Sequence, residues 1–166
     1  MFMACGRSKL RFKSLQIVDA NPTSDSILIQ HYLAIWDSYG TPKGDYAADA
    51  AETVTQFIDE NRNNGHHGGF LATIDGAVAG SAMCSLLRSP YPEVIKPVIR
   101  RRGYIWSVYT EPNYRGKGVG KTLTKRAVDH LRSIGCTDVV LHASDAGAAI
   151  YEQLGFRRAG EMRLKF

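Results

Sequence analysis

The run Gly103-Tyr104-Ile105-Trp106-Ser107-Val108-Tyr109-Thr110-Glu111-Pro112-Asn113-Tyr114-Arg115-Gly116-Lys117-Gly118-Val119-Gly120-Lys121-Thr122-Leu123-Thr124 is the stretch from which the fold can be read. An apolar segment, 104–110, is stopped by Pro112, and a basic, glycine-rich loop over 115–120 opens onto a helical pattern. That pattern runs over 118–134, with Val119, Leu123, Ala127, Leu131 and Ile134 on one face and Gly135 as its stop. Strand, loop and helix is the implied order. Backbone N–H groups at a helix start have no intrahelical acceptor, and glycines let a ligand approach that backbone closely, so the loop predicts a phosphorylated ligand. A short apolar strand over 137–142 follows, continuous enough to be expected buried on both faces. The helix between the two strands requires them to be parallel, which makes a βαβ unit the centre of the fold.

Working outward, Ala146 to Leu154 is expected as a short helix closed by Gly155, and 162–166 as a final strand. On the N-terminal side, Phe12, Leu15, Ile17 and Val18 make an imperfect strand pattern ended by Asn21-Pro22. Leu28, Tyr32, Ile35, Trp36 and Tyr39 recur at helical spacing over 25–39, and Ala51, Val54, Phe57 and Ile58 mark a second amphipathic helix beyond the turn-rich 40–46. Trp36 and Tyr39 are expected in the core at that spacing, although with Tyr46 they could line a pocket. The segments 70–74 and 77–86 flank Asp75-Gly76, the dipeptide of a two-residue hairpin. The whole reads as a mixed α/β (α+β) protein, one domain over 1–166 with 1–10 as a loose leader.

Composition narrows the function. In 166 residues, 44% hydrophobic and 22% charged, no apolar run approaches the roughly 18–20 residues of a membrane span, and the basic N-terminus has no apolar segment behind it to make a secretory signal. Three cysteines, Cys5, Cys84 and Cys136, are odd in number and far apart, which argues against a disulfide framework or a zinc site and for a reducing cytoplasm. Cys84 and Cys136 are expected to be buried or inert. The net charge of +5 is spread along the chain, so nucleic acid is not the expected partner; an anionic ligand accounts for the local excess of Arg115, Lys117 and Lys121. The adjacent His66 and His67 point different ways and have no spaced partner, so they read as a solvated loop, and no metal is expected.

Two phosphate loops compete for residues 115–122. The nucleotide-triphosphate loop needs its first glycine five residues before Gly120, where the chain has Arg115, and counted from Gly116 the loop is one residue short. The next strand also lacks a terminal Asp for magnesium. The alternative, Arg/Gln-x-x-Gly-x-Gly, is met in full by Arg115, Gly118 and Gly120. With the strand and Pro112 before it, and Tyr151-Glu152-Gln153-Leu154-Gly155-Phe156 downstream, this resembles the GCN5-related N-acetyltransferase superfamily over 104–156. The run Leu141-His142-Ala143-Ser144-Asp145-Ala146-Gly147 is similar to a branch of small-molecule acetyltransferases.

The resemblance implies a twisted mixed sheet of six to seven strands with about four helices, and acyl-CoA bound between splayed central parallel strands. It implies acetyl-CoA as donor, a primary amine of a small molecule as acceptor, and a monomer or homodimer; the alternatives are a protein or peptide acceptor, or a domain that binds acyl-CoA without turnover. Val108, Tyr109 and Thr110 would lend backbone groups to the pantetheine arm. Arg115, Gly116, Lys117, Gly118, Val119 and Gly120 would receive the pyrophosphate, with Lys121 nearby, and Ser144 stands where relatives often place an Asn against CoA. Tyr151 corresponds to the general acid for the departing thiolate: a phenol near ~10 keeps its proton at neutral pH, whereas a thiolate like that of cysteine, near ~8.5, needs a donor. A backbone N–H at Val108 or a neighbour would hold the oxyanion. Candidates for the general base are Glu111, at the mouth of the strand, Asp45 and His142.

Overall fold

The computed structural model describes residues 14–88, 93–160 and 162–164. In chain order the elements are β1 (Leu15–Asp19), α1 (Asp25–Ser38), α2 (Ala50–Asn63), β2 (Gly68–Ile74), β3 (Ala77–Leu86), β4 (Arg102–Thr110), α3 (Val119–Ser133), β5 (Asp138–Leu141) and α4 (Asp145–Gln153). The strands lie side by side in sequence order, antiparallel from β1 to β4 and parallel between β4 and β5. The expected mixed α/β architecture and its βαβ centre are therefore present. The strand number is not: among the described residues the sheet has five strands, not six or seven. Residues 162–164 form no strand. Lys165 and Phe166, like Phe12 and the expected leader 1–10, lie outside the described residues.

Side-chain alternation divides the core into two layers. Phe70, Ala72, Ala82, Cys84 and Ile105 pack against Val119, Leu123, Ala127 and Leu131, which recur every fourth residue along α3 and are all buried. Leu71 and Met83, one position out of phase, pack on the other face against Leu28 of α1 and Val54 and Ile58 of α2. Burying a leucine of this kind contributes about 2 kcal/mol, so the spacing of four in α3 suffices to hold that helix on the sheet. At Gly103 the approach is so close that a Cβ would stand 2.8 Å from both methyls of Leu131. The hairpin β2–β3 turns through Asp75 and Gly76, both at positive φ (53° and 82°), as a two-residue connection of this twist requires.

β5 departs from its expected burial on both faces. Among the described residues it pairs only with β4, at one margin of the sheet, and all four of its residues are half-buried.

Candidate active site

The site begins with an irregularity in β4. Cys84 pairs with Ile105 but Met83 with Ser107, so Trp106 is an extra residue and β4 bulges there. The parallel ladder to β5 ends at the same place, with Ile105 opposite Leu141 as its last pair. Beyond it β4 stays bonded to β3 through Thr110 while the ladder to β5 stops. A bulge bends its strand, and from Trp106 onward this edge of β4 has no ladder partner among the described residues.

Which backbone groups face that opening follows from alternation. The Glu111 N–H donates to Ala79 C=O on β3. Successive N–H groups of an extended strand point to opposite edges, so those of Thr110 and Val108 point away from β3. Consistently, the Thr110 carbonyl accepts Arg115 Nε at 3.4 Å from that side. Of Val108, Tyr109 and Thr110, the first and third therefore offer backbone groups to the opening. Tyr109 spends its backbone on β3 and turns its ring toward α1, 4.8 Å from that of His31.

The opening leads to the start of α3. Gly116 and Gly118 hold positive φ (74° and 78°), and Gly118 is the N-cap with no side-chain cap bond. The Thr122 N–H donates to Gly118 C=O as the first helical bond, so the Val119, Gly120 and Lys121 amides have no intrahelical acceptor. The positive end of the helix dipole adds to their attraction for an anion. Around them stand three exposed cations: Arg115; Lys117, whose Nζ donates to Asn113 C=O at 2.8 Å and lies over the Tyr114 ring; and Lys121, 3.3 Å from Gln153 Oε1 of α4. A Cβ placed on Gly120 would be 3.5 Å from Thr110 Oγ1, 3.9 Å from Ile150 Cδ1 and 4.0 Å from Val108 Cγ1, so β4, α3 and α4 converge here.

α4 supplies the other wall. Ser144 caps it, its Oγ accepting the Gly147 N–H at 3.2 Å, which leaves the hydroxyl hydrogen to donate elsewhere. The Tyr151 ring folds back over Gly147, where a Cβ would meet Tyr151 Cε2 at 2.9 Å. Burial, with a smaller contribution from the Tyr39 phenol, raises the Tyr151 pKa above its ordinary value, so the hydroxyl stays protonated.

At the end of β4, Glu111 Oε1 lies 3.1 Å from His31 Nε2, and His31 Nδ1 lies 2.9 Å from Ser81 Oγ. Burial pushes the His31 pKa down against the opposing pull of Glu111, so the ring is neutral. Neither His31 nor Ser81 was singled out from sequence. The available signal was a polar residue on the apolar stripe of α1, between Leu28 and Tyr32. The other base candidates are placed apart from this group: Asp45 is exposed in the turn before α2, and His142 Nδ1 is 2.8 Å from the Tyr104 hydroxyl.

Two expectations about bystanders change and a third holds. Trp36 and Tyr39 are not core residues but 44% and 57% exposed. They end a ladder of edge-to-face rings that runs from Phe57 through Trp106, Tyr32 and Trp36 to Tyr39. His66 and His67 are half-buried rather than solvated, and burial pushes His67 down to about 4. Cys84 is buried, with its thiol pushed up to about 12, as expected of an inert cysteine. A surface cavity of about 380 Å³ lined by Cys136, Asp138 and Phe156 lies at the start of β5, the opposite end from the strand separation.

Residues 29–156 match the family model described as the acetyltransferase (GNAT) family. The chain is 27% identical over 125 residues to a probable N-acetyltransferase family 8 member 5 of Mus musculus, covering 74% of this chain and 52% of that one. It is 42% identical over 66 residues to a glucosamine 6-phosphate N-acetyltransferase of Trypanosoma brucei brucei, covering 39% of this chain and 45% of the other. The chain thus spans about half the length of these curated relatives. In fold it is similar to a predicted acetyltransferase of Clostridium acetobutylicum solved with acetyl-CoA, at a TM-score of 0.76 and 22% identity, over 92% of this chain and 96% of that one. Among the described residues no helix is long and apolar enough to cross a membrane, and no group of three or more His, Cys, Asp or Glu could hold a metal.

Proposed function

The chain belongs to the GNAT family of acetyltransferases, and on that premise we propose that it moves an acetyl group from acetyl-CoA to the primary amine of a small molecule, by direct attack in a ternary complex. The observation that carries this reading is the continuous path from the open edge of β4, at Val108 and Thr110, to the free amides at the start of α3. Neutral amides at a helix start suit a pyrophosphate, and the absence of a side chain at Gly120 leaves the convergence of β4, α3 and α4 open to a narrow chain.

Each residue then has a defined task. The outward N–H of Val108 holds the oxyanion that develops as the amine attacks the thioester carbonyl, a fixed dipole that needs no reorganisation during reaction. Tyr151, kept protonated by its surroundings, gives its proton to the departing thiolate. Glu111 takes the proton that the substrate ammonium must lose before it can attack, by way of water. Arg115, Lys117 and Lys121 neutralise phosphate charge, and Ser144 donates its remaining hydroxyl hydrogen to the cofactor. The exposed rings of Trp36, Tyr39 and Phe57 support an acceptor with an apolar body.

Thiol release from acetyl-CoA, measured across a panel of small primary amines and of peptides, tests the proposal. Release that depends on a small amine supports it. Release with peptides alone would move the acceptor to proteins, and thermal stabilisation by acetyl-CoA without release for any acceptor would make the chain a binder.

A further inference from the structure

We propose that His31 is a positioning residue for Glu111, clamped in a single tautomer by Ser81 so that its Nε2–H holds the carboxylate in place; this rests on the reading of Glu111 as the base. The tautomer follows from hydrogen-bond inventory. An ionised carboxylate only accepts, so Nε2, 3.1 Å from Glu111 Oε1, carries the hydrogen. The neutral ring then has a bare Nδ1, which accepts the Ser81 hydroxyl at 2.9 Å. Every polar atom of the ring is thereby used, in a side chain only 3% exposed, and the ring is held between β3 and the Tyr109 ring of β4. The carboxylate has a second oxygen, Oε2, free of this bond to take a proton. When it does, Oε1 still accepts from Nε2–H, so the proton moves without rearranging the clamp.

Among the described residues, the charged groups of the packed elements bond to partners other than Glu111, and Arg115, in the turn after β4, donates its Nε to Thr110 C=O. β3 carries no Asp, Glu, Lys, Arg or His. In β4, Arg102 is paired with Asp138, and Tyr104 with His142, at the far end of the strand. In α1, Asp25 is paired with Arg62, Asp37 with Lys43 and Tyr46, and the Tyr32 ring faces Trp36 and Trp106. In the turn after β4, the Tyr114 ring lies under Lys117. His31 is therefore the group through which the fold orients the Glu111 carboxylate.

Two amide substitutions separate the two ring nitrogens. In His31→Asn the amide nitrogen overlays Nδ1 and cannot reach Glu111; in His31→Gln it overlays Nε2 and can. Nitrogen-15 shifts of the His31 ring in the folded protein read the clamp without any acceptor: Nε2 is expected to carry the hydrogen and Nδ1 to be bare, and Ser81→Ala is expected to mix the two tautomers. Acceptor-dependent turnover is expected to fall about tenfold in His31→Asn and to stay near wild type in His31→Gln, with acetyl-CoA affinity unchanged in both. A hydrogen on Nδ1 in the wild type, or turnover lost equally in both variants, would overturn the proposal. The reading beneath it fails separately: Glu111→Gln leaving the acid limb of the turnover profile in place would remove Glu111 as base, whatever the nitrogen shifts show.

Discussion

Replacing Gly120 by alanine should raise stability and weaken cofactor binding together, a combination that few substitutions produce. Within the protein the new Cβ meets only ordinary contacts, at 3.5 Å or more, and the position needs no left-handed backbone. Gly120 is the second residue of α3, where exchanging glycine for alanine removes backbone freedom from the unfolded chain and contributes about 0.5–1 kcal/mol. For a chain of this length that is a rise in Tm of about 1–4 °C. The same methyl points into the space between Thr110, Ile150 and Val108, the proposed path of the pantetheine arm. Excluding the arm from that path should cost at least about 1.4 kcal/mol, or tenfold in acetyl-CoA Kd. Gly118→Ala is the control: its φ of 78° forces a side chain into a left-handed conformation costing about 1–2 kcal/mol, so Tm should fall. Thermal unfolding of the ligand-free proteins and calorimetric titration with acetyl-CoA measure both quantities. Wild-type affinity in a Gly120→Ala protein at least as stable as wild type would refute the assignment of this cleft to the cofactor.

In Tyr151→Phe, acetyl-CoA affinity should persist while turnover drops by about a hundredfold; equal turnover at every pH would end the general-acid assignment. His67 is held neutral in the fold at about 4 against an ordinary 6.5. As pH falls through 6.5 the unfolded chain takes up its proton first, so stability is lost between about 6.5 and 4, by about 3 kcal/mol from this residue. Denaturant unfolding of wild type and His67→Leu should show a difference that changes by that amount between pH 7 and pH 4, and a pH-independent difference would contradict the burial. Gly103→Ala drives a Cβ into the buried Leu131 side chain and should cost about 1–3 kcal/mol. Equilibrium unfolding measures this, and a cost below about 0.5 kcal/mol would mean that Leu131 gives way freely.

Much of the molecule is decided locally and was legible for that reason. The Asp75-Gly76 turn needs two positive φ angles, the spacing of four in α3 needs one buried face, and the glycines at 116 and 118 need left-handed backbone; each signal spans only a few residues. From these the βαβ centre and the amide-rich start of α3 could be inferred before any contact was known. The hydrogen-bond partner of Glu111 could not be, because His31 stands 80 residues away in the chain and meets it only when α1 packs across β3 and β4. The exposure of Trp36 and Tyr39 escaped for a related reason: helical spacing shows that a face exists, while the length of sheet beneath it determines how far along that face burial extends.

The sequence by itself determined the order of elements, the glycine-rich loop before α3 and the family, since backbone geometry and helix periodicity are short-range properties. Only the tertiary structure decided that β4 bulges at Trp106 as the ladder to β5 ends, that Val108 and Thr110 rather than Tyr109 present their amides to the opening, and that Glu111 is held by His31 and Ser81. Strand register and the partners of buried polar groups depend on the simultaneous fit of segments far apart in the chain, and no local pattern encodes that fit.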